Sequence, residues 1–430
     1  MTLDQKNLRI EGIYAQRQEG YFMQRVKLAA GVISAQQART VAGIAESFGK
    51  GIVHLTSRGS MEVHWLQGED LPAIKQKFAM VGLTSRGACG GAVRGVTCSG
   101  QGSAEFPQLE SLARRLQRHF TGNPRFEGLP KKFKIGIETD TTGGRHLIQD
   151  VGLVLAASDN GTAGYDVWIA GGLGREPRAG FLLERGVAEG RIIPVIEAVI
   201  AVYARLVPPP KRLKFLAANL GEAELSRLIR AEPAYAEKLL PVGGFPDSLT
   251  LAAHGSERVE IPLFAGQLTA DQLRTLAEFA ERHSGGVMQV TVDQDIAFVA
   301  SGSDIEGAVR ELMTQMNALS SAPVSFRICP GSHECKMGLA ATRDLAGALT
   351  REMNPAAKRQ TWAISGCPNS CTQPQLAAVG IVVSKLVGAE DGGKTARFDL
   401  YRRSGPGLGE KVREQLTFAE LTEVVREFEG

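Results

Sequence analysis

Cysteine is scarce in this chain, with six in 430 residues. The N-terminal Met-Thr-Leu-Asp-Gln-Lys-Asn segment lacks the apolar core of a secretion signal. Together these argue against a disulfide scaffold. Long hydrophobic runs are missing as well. The longest apolar tract, around Ile192–Leu206, is interrupted by Pro194, Glu197 and Arg205 and is too short to cross a bilayer. No strong charge of one sign is present. A net charge of +3 is too small to imply nucleic-acid binding, so any anion site must be a local cluster of basic residues. No Gly-x-Gly-x-x-Gly follows a strand, and no flavin module is recognisable. A composition of 43% apolar and 22% charged residues fits an ordinary soluble chain of two or three compact units. A cytoplasmic location is expected, where thiols stay reduced.

The pattern along the chain predicts an internal duplication. A strand is expected over Gly20–Leu28, and Ser34-x-x-Gln37 reads as a capping-box helix start. Strands at Ile52–Leu55 and Val63–Leu66 and a helix over Leu71–Val81 follow, a β-α-β-β-α order like half of a ferredoxin-like module. The same residues recur 235 positions later. Ala30-Gly31 matches Ala265-Gly266, Gln37 and Arg39 match Gln272 and Arg274, and Gly51 and Thr56 match Gly286 and Thr291. One matched pair differs in charge, since Arg58 corresponds to Asp293. Arg58 is therefore not needed for the repeat's fold and is a candidate for ligand contact. A larger α/β unit is expected after each repeat. The predicted divisions are 1–83, 84–207, a linker with connecting helices over 208–250 that begins at Pro208-Pro-Pro210, then 251–322 and 323–430. The fold class is α+β with pseudo-two-fold symmetry, and a ligand site is expected where the halves meet.

Four of the six cysteines fall in two clusters, Cys329-Pro-Gly-Ser-His-Glu-Cys335 and Gly366-Cys367-Pro-Asn-Ser-Cys371. The i, i+4 spacing of Cys367 and Cys371 allows both sulfurs to project from one face of a helical turn, with Pro368 at its start. Four converging thiolates suit an iron–sulfur cube. A zinc site, as in a zinc-stabilised interaction module, and buried structural cysteines are the other readings of this spacing. Cys98 is expected in structural packing, and Cys89 and His333 are assigned no role.

Basic residues form a second constellation. Lys132 and Lys134 lie two apart on an expected strand, Lys131–Ile137, so both ammonium groups face one side of an otherwise core-forming segment. Two such cations need an anion partner. Arg25 and Arg94 could complete an anion pocket.

The C-x5-C pair followed by Gly-Cys-Pro-Asn-Ser-Cys resembles the sulfite/nitrite reductase hemoprotein family, and the resemblance runs from about Gly20 to the C-terminus. It implies that the two larger units carry a siroheme, a carboxylate-rich iron tetrapyrrole, and a 4Fe–4S cube. Cys329, Cys335, Cys367 and Cys371 would hold the cube, with Cys371 bridging to the siroheme iron. Arg25, Arg94, Lys132 and Lys134 match the substrate-anion residues; Arg58, Arg94 and Asn369 fall on the cofactor side. Lys134 resembles the sulfite-reducing members, where nitrite reductases typically carry Asn. The expected reaction is reduction of sulfite to sulfide, with nitrite to ammonia as the alternative. Electrons would come from a ferredoxin or a flavoprotein subunit. Three places depart from the family pattern: Gly59 stands where Gln is usual, Ala363 where Arg is usual, and the basic segment is shortened to Lys211-Arg-Leu-Lys214, expected to be a solvated linker. Such departures would suit a precorrin-3B synthase-like tetrapyrrole oxygenase. The Lys-Phe-Lys run and Gly-Cys-Pro-Asn-Ser-Cys favour the reductase.

Overall fold

The computed structural model describes residues 4–157, 163–207, 212–238, 249, 256–316, 324–388 and 392–429. The Pro208–Pro210 break and Lys211 lie outside them. The chain opens with helix α1 (Gln5–Ile10) and strand β1 (Ile13–Ala15). The first repeat then runs β2 (Tyr21–Val26), β3 (Val32–Ser34), α2 (Ala35–Phe48), β4 (Ile52–Thr56), β5 (Ser60–Gln67) and α3 (Leu71–Met80). Its larger unit holds β6 (Thr97–Cys98), α4 (Phe106–Phe120), β7 (Ile135–Glu138), β8 (Val151–Ala157), β9 (Ala163–Ile169), β10 (Phe181–Ala188), α5 (Glu189–Leu206), α6 (Leu213–Leu220) and α7 (Glu222–Arg230). The second repeat is β11 (Glu257–Ile261), β12 (Gln267–Thr269), α8 (Ala270–His283), β13 (Val287–Val290), β14 (Ile296–Ala300) and α9 (Ile305–Gln315). The last unit is β15 (Ser325–Ile328), α10 (Thr342–Glu352), α11 (Pro355–Lys358), β16 (Thr361–Ser365), β17 (Val379–Gly388), β18 (Lys394–Arg402), β19 (Glu410–Leu416) and α12 (Phe418–Arg426).

The duplication is exact enough to fix individual contacts. Ser34 and Thr269 each close a capping box, with Gln37 and Gln272 as the reciprocal partners. The same glutamines donate from Nε2 to the carbonyls of Val81 and Met316. Arg39 pairs with Glu281 and Arg274 with Glu46 across the two helices α2 and α8. The short strands are exchanged. Strand β12 of the second copy pairs antiparallel with β4 of the first, and β3 of the first pairs with β13 of the second. One hydrophobic core, including Ile33, Val41, Ile44, Leu268, Leu273 and Leu276, therefore spans both copies.

The larger units share a topology. Strands β6, β7 and β8 are parallel, with β9 and β10 added antiparallel; β15 to β19 repeat that order. Helices α6 and α7, read from the sequence as connecting helices, place Leu213, Leu216, Leu225 and Ile229 in the same core as α5. No helix among the described residues is long and apolar enough to cross a membrane.

The solvated-linker reading of the basic segment is corrected. Arg212 is buried, and its Nη2 lies 2.9 and 2.8 Å from the two carboxylate oxygens of Asp150. Lys214 is buried too, and its Nζ donates to the Leu173 carbonyl at 3.0 Å and to that of Glu176. Their partners lie far away in sequence, so composition alone could not reveal them. Removing one member of a fully buried pair leaves an uncompensated charge. Arg212→Met is therefore expected to lower unfolding free energy by about 3–5 kcal/mol. Urea denaturation with an unchanged m-value will show it.

Candidate active site

Cys329 and Cys367 leave the same ends of neighbouring parallel strands, β15 and β16, which brings their loops together. The Gly366 N–H donates to Cys329 Sγ at 3.1 Å. The Cys335 N–H is held by the Gly331 carbonyl at 3.0 Å, and the Leu339 N–H by that of Gly366 at 2.7 Å. The two loops touch so closely that a Cβ on Gly366 would lie 2.9 Å from the Gly331 Cα. The expected helical turn over Cys367–Cys371 is not formed. The segment is an irregular turn in which Ser370 and Gln373 take left-handed φ values of 53° and 58°. This directs the Cys371 side chain outward, and it is the exposed member of the four.

All four thiols are free, and they sense one another. Burial raises the pKa of Cys329, and Cys371 adds to the rise. Burial and then Cys371 push Cys367 up to about 11, against the N–H groups of Asn369. Cys335 is also raised, by burial first and by Cys371 among its neighbours. Thiols that oppose each other's ionisation need a cationic centre to become thiolates together, and an iron–sulfur cluster provides one. Among the described residues, no three His, Cys, Asp or Glu side chains come close enough to hold a single metal ion. Four free thiols on two touching loops are a donor set that fits a cube, whose ligands each bind a different iron.

Facing this loop is a patch of cations. The expected strand starts late, at Ile135, so Lys132 and Lys134 sit in the extended segment before β7. Phe133 between them is buried in the core. Asp150 holds the segment, accepting the Lys134 N–H at 2.8 Å, while its own N–H donates to the Lys134 carbonyl. Burial lowers both lysines. Lys132 falls to about 8, with Arg212 as the next cause and the Cys371 thiol acting in opposition. Lys134 is held well below the usual range by burial and then by Lys132. Arg58, in the turn between β4 and β5, donates to Gln149 Oε1 at 3.0 Å and to the Gly95 carbonyl at 2.8 Å. Burial and Arg94 bring it down to about 9. Arg94 is buried, with Nη2 on the Gly90 carbonyl at 3.0 Å. Among the described residues, none of Lys132, Lys134, Arg58 and Arg94 forms an ion pair with a carboxylate. Such a patch, partly buried and without carboxylate partners, fits an oxyanion and a carboxylate-rich tetrapyrrole.

Arg25 stands apart. Its Nε and Nη2 reach Glu62 Oε1 at 2.9 and 2.5 Å, and Nη1 reaches the Ala88 carbonyl at 3.2 Å. Burial would lower its pKa, but Glu62 outweighs that and raises it. Glu62 is a partner that the sequence did not reveal. Cys89 lies 3.8 Å from Arg25 Nη1. Cys98 is packed in the core against the Leu109 carbonyl, and His333 Nε2 lies 3.4 Å from Asp344. The departures have physical settings. Gly59 has φ 59°, and a Cβ there would lie 3.1 Å from the Val290 carbonyl. Its counterpart Gln294 uses its amide to bond Leu55 and Ile328. Ala363 is fully buried, paired across the parallel ladder with Arg327.

The model of the nitrite and sulphite reductase 4Fe-4S domain matches residues 89–238, and that of the nitrite/sulfite reductase ferredoxin-like half domain matches 14–81 and 255–314. Together they span more than half of the chain. A protein named sulfite reductase [ferredoxin] from Mycobacterium tuberculosis is 27% identical, over 97% of this chain and 84% of that one. One named ferredoxin–nitrite reductase from Synechococcus elongatus is 28% identical, over 95% and 85%. The structure of the Mycobacterium tuberculosis NirA protein superposes with a TM-score of 0.82 at 24% identity, covering 99% of this chain and 87% of that one, which shows the shared fold. These matches displace the zinc-module reading. The chain belongs to the nitrite and sulphite reductase family, oxidoreductases that carry siroheme and a 4Fe–4S cluster.

Proposed function

We propose that this enzyme reduces sulfite to sulfide in a six-electron reaction. The observation that supports it best is the unpaired set Lys132, Lys134 and Arg94 beside the Cys371 loop. Cys329, Cys335, Cys367 and Cys371 would hold the cube, and Arg58, Arg94 and Asn369 would line the siroheme beside it. When bound, this pair would relay electrons from the external donor to the oxyanion. The protein's own residues do the rest. Arg25, Arg94, Lys132 and Lys134 hold the oxyanion and stabilise charge on the departing oxygens. Lys132, with its pKa near 8, can give a proton and regain it near neutral pH. Glu62 fixes the Arg25 guanidinium. Electrons arrive from a ferredoxin, as the names of the relatives support.

Nitrite is the second reading, favoured by the relatives named for nitrite reduction. Steady-state kinetics with reduced viologen decide between them. A higher kcat/KM for sulfite is expected, and a large excess for nitrite would overturn the proposal. In Lys134→Asn the sulfite-to-nitrite ratio of kcat/KM should fall by about tenfold, one hydrogen-bonding charge being worth that much. Protein purified anaerobically without tetrapyrrole bands after reconstitution would count against both substrates.

A further inference from the structure

Arg58 and Asp293 hold equivalent places in the two copies of one turn. Arg58 reaches the first larger unit, donating to Gln149 and to the Gly95 carbonyl, whereas Asp293 is drawn into an ion cluster. Its Oδ1 receives Arg145 Nη2 and Arg327 Nη1, each at 2.8 Å. Arg145 comes from the loop before β8 and Arg327 from β15, so Asp293 ties the second repeat to both larger units. Arg327 is buried, and its other N–H groups have a single destination. Nε donates to the Thr372 carbonyl at 2.9 Å, and Nη2 to that of Gln373 at 3.2 Å. These are the two residues directly after Cys371.

The first copy grips the same turn from the other side. Ser57 Oγ donates to the Cys371 carbonyl at 2.6 Å, and Gln373 Nε2 donates to the Ser57 carbonyl at 2.8 Å. Three consecutive carbonyls, 371 to 373, are thus held by buried donors. The turn needs them, because left-handed Ser370 and Gln373 each cost conformational energy that the surroundings must offset. The fully buried Ala363, Arg327's partner across the strand ladder, leaves the guanidinium room to lie along the turn.

We propose that Arg327, anchored by Asp293, is a positioning residue for Cys371: it locks the turn that presents this sulfur to the cluster. The proposal rests on Cys371 being a cluster ligand, as read above. It assigns Asp293 a use for the charge reversal between the copies. One repeat keeps a cation without a carboxylate partner, and the other keeps an anion to fix the cysteine turn.

The test compares wild type, Arg327→Lys, Asp293→Asn and Cys371→Ser. Each is reconstituted anaerobically with iron and sulfide. Labile sulfide per chain, the cluster's midpoint potential by EPR-monitored titration, and circular dichroism are measured. Lysine cannot span both carbonyls and Asp293, so Arg327→Lys should keep its dichroism but retain the cluster about tenfold or more weakly, with a shifted potential. Asp293→Asn should shift the potential in the same direction by less. A folded Arg327→Lys with wild-type sulfide content and potential would overturn the proposal. Should Arg327→Lys fail to fold, Asp293→Asn decides by the same readings, since it leaves every Arg327 donor in place. If Cys371→Ser binds the cluster as wild type does, the ligand reading itself fails. If only Cys371→Ser changes, that reading stands and the positioning role falls.

Discussion

Cys329→Ser is expected to yield a folded chain with no stable labile sulfide and no viologen-driven reduction above background. Cys329 emerges from β15 into contact with the Gly366 N–H, and burial already makes its ionisation difficult. A serine hydroxyl there would be far harder to ionise and is a hard oxygen donor where iron–sulfur chemistry wants soft thiolate. The surrounding structure tolerates the change. The side chains are close in size, and the loop is held by main-chain bonds such as Cys335 N–H to Gly331 and Leu339 N–H to Gly366. Far-ultraviolet dichroism should therefore match wild type while iron and sulfide analyses collapse. Wild-type sulfide content in this variant would remove Cys329 from the cluster.

The second large effect is on Lys132. Lys132→Met should lower kcat/KM for sulfite by about 10²–10³-fold, the usual loss when one preorganised charge donor is removed. Tetrapyrrole and cluster absorption should stay as in wild type, because Lys132 is not among the cluster ligands. A pH profile adds a sign. Burial has lowered Lys132 from its ordinary value to about 8, so the free enzyme carries this charge below that pH and loses it above. Since kcat/KM reports the free enzyme, it should fall as pH rises through about 8. Lys132→Arg keeps its charge throughout, so that alkaline limb should disappear. An unchanged limb would assign the titration to another group.

The duplication was readable because its signal is local. Capping boxes at Ser34 and Thr269 are four-residue motifs, and a constant offset of 235 carried them together with Arg39, Glu46 and their partners. The cluster cysteines were readable for the same reason. What escaped depends on distant chain segments. Strands β3 and β12 have three residues each and no strand signal of their own; they exist because the other copy offers them an edge. The i, i+4 spacing of Cys367 and Cys371 suits a helix as well as the observed turn, whose carbonyls are held by Ser57 and Arg327 from elsewhere. Arg212 looked solvated because Asp150 lies 62 positions away. Arg25 looked free because Glu62 sits on a neighbouring strand.

The strand exchange also dictates how the chain can be made. Until residues 267–269 have emerged from the ribosome, β4 presents a bare edge with nothing to close it. The N-terminal half cannot complete its sheet before then, however early its helices form. Nascent chains stalled before that point should be the species that chaperones hold, and the two halves expressed as separate polypeptides should gain order only when mixed.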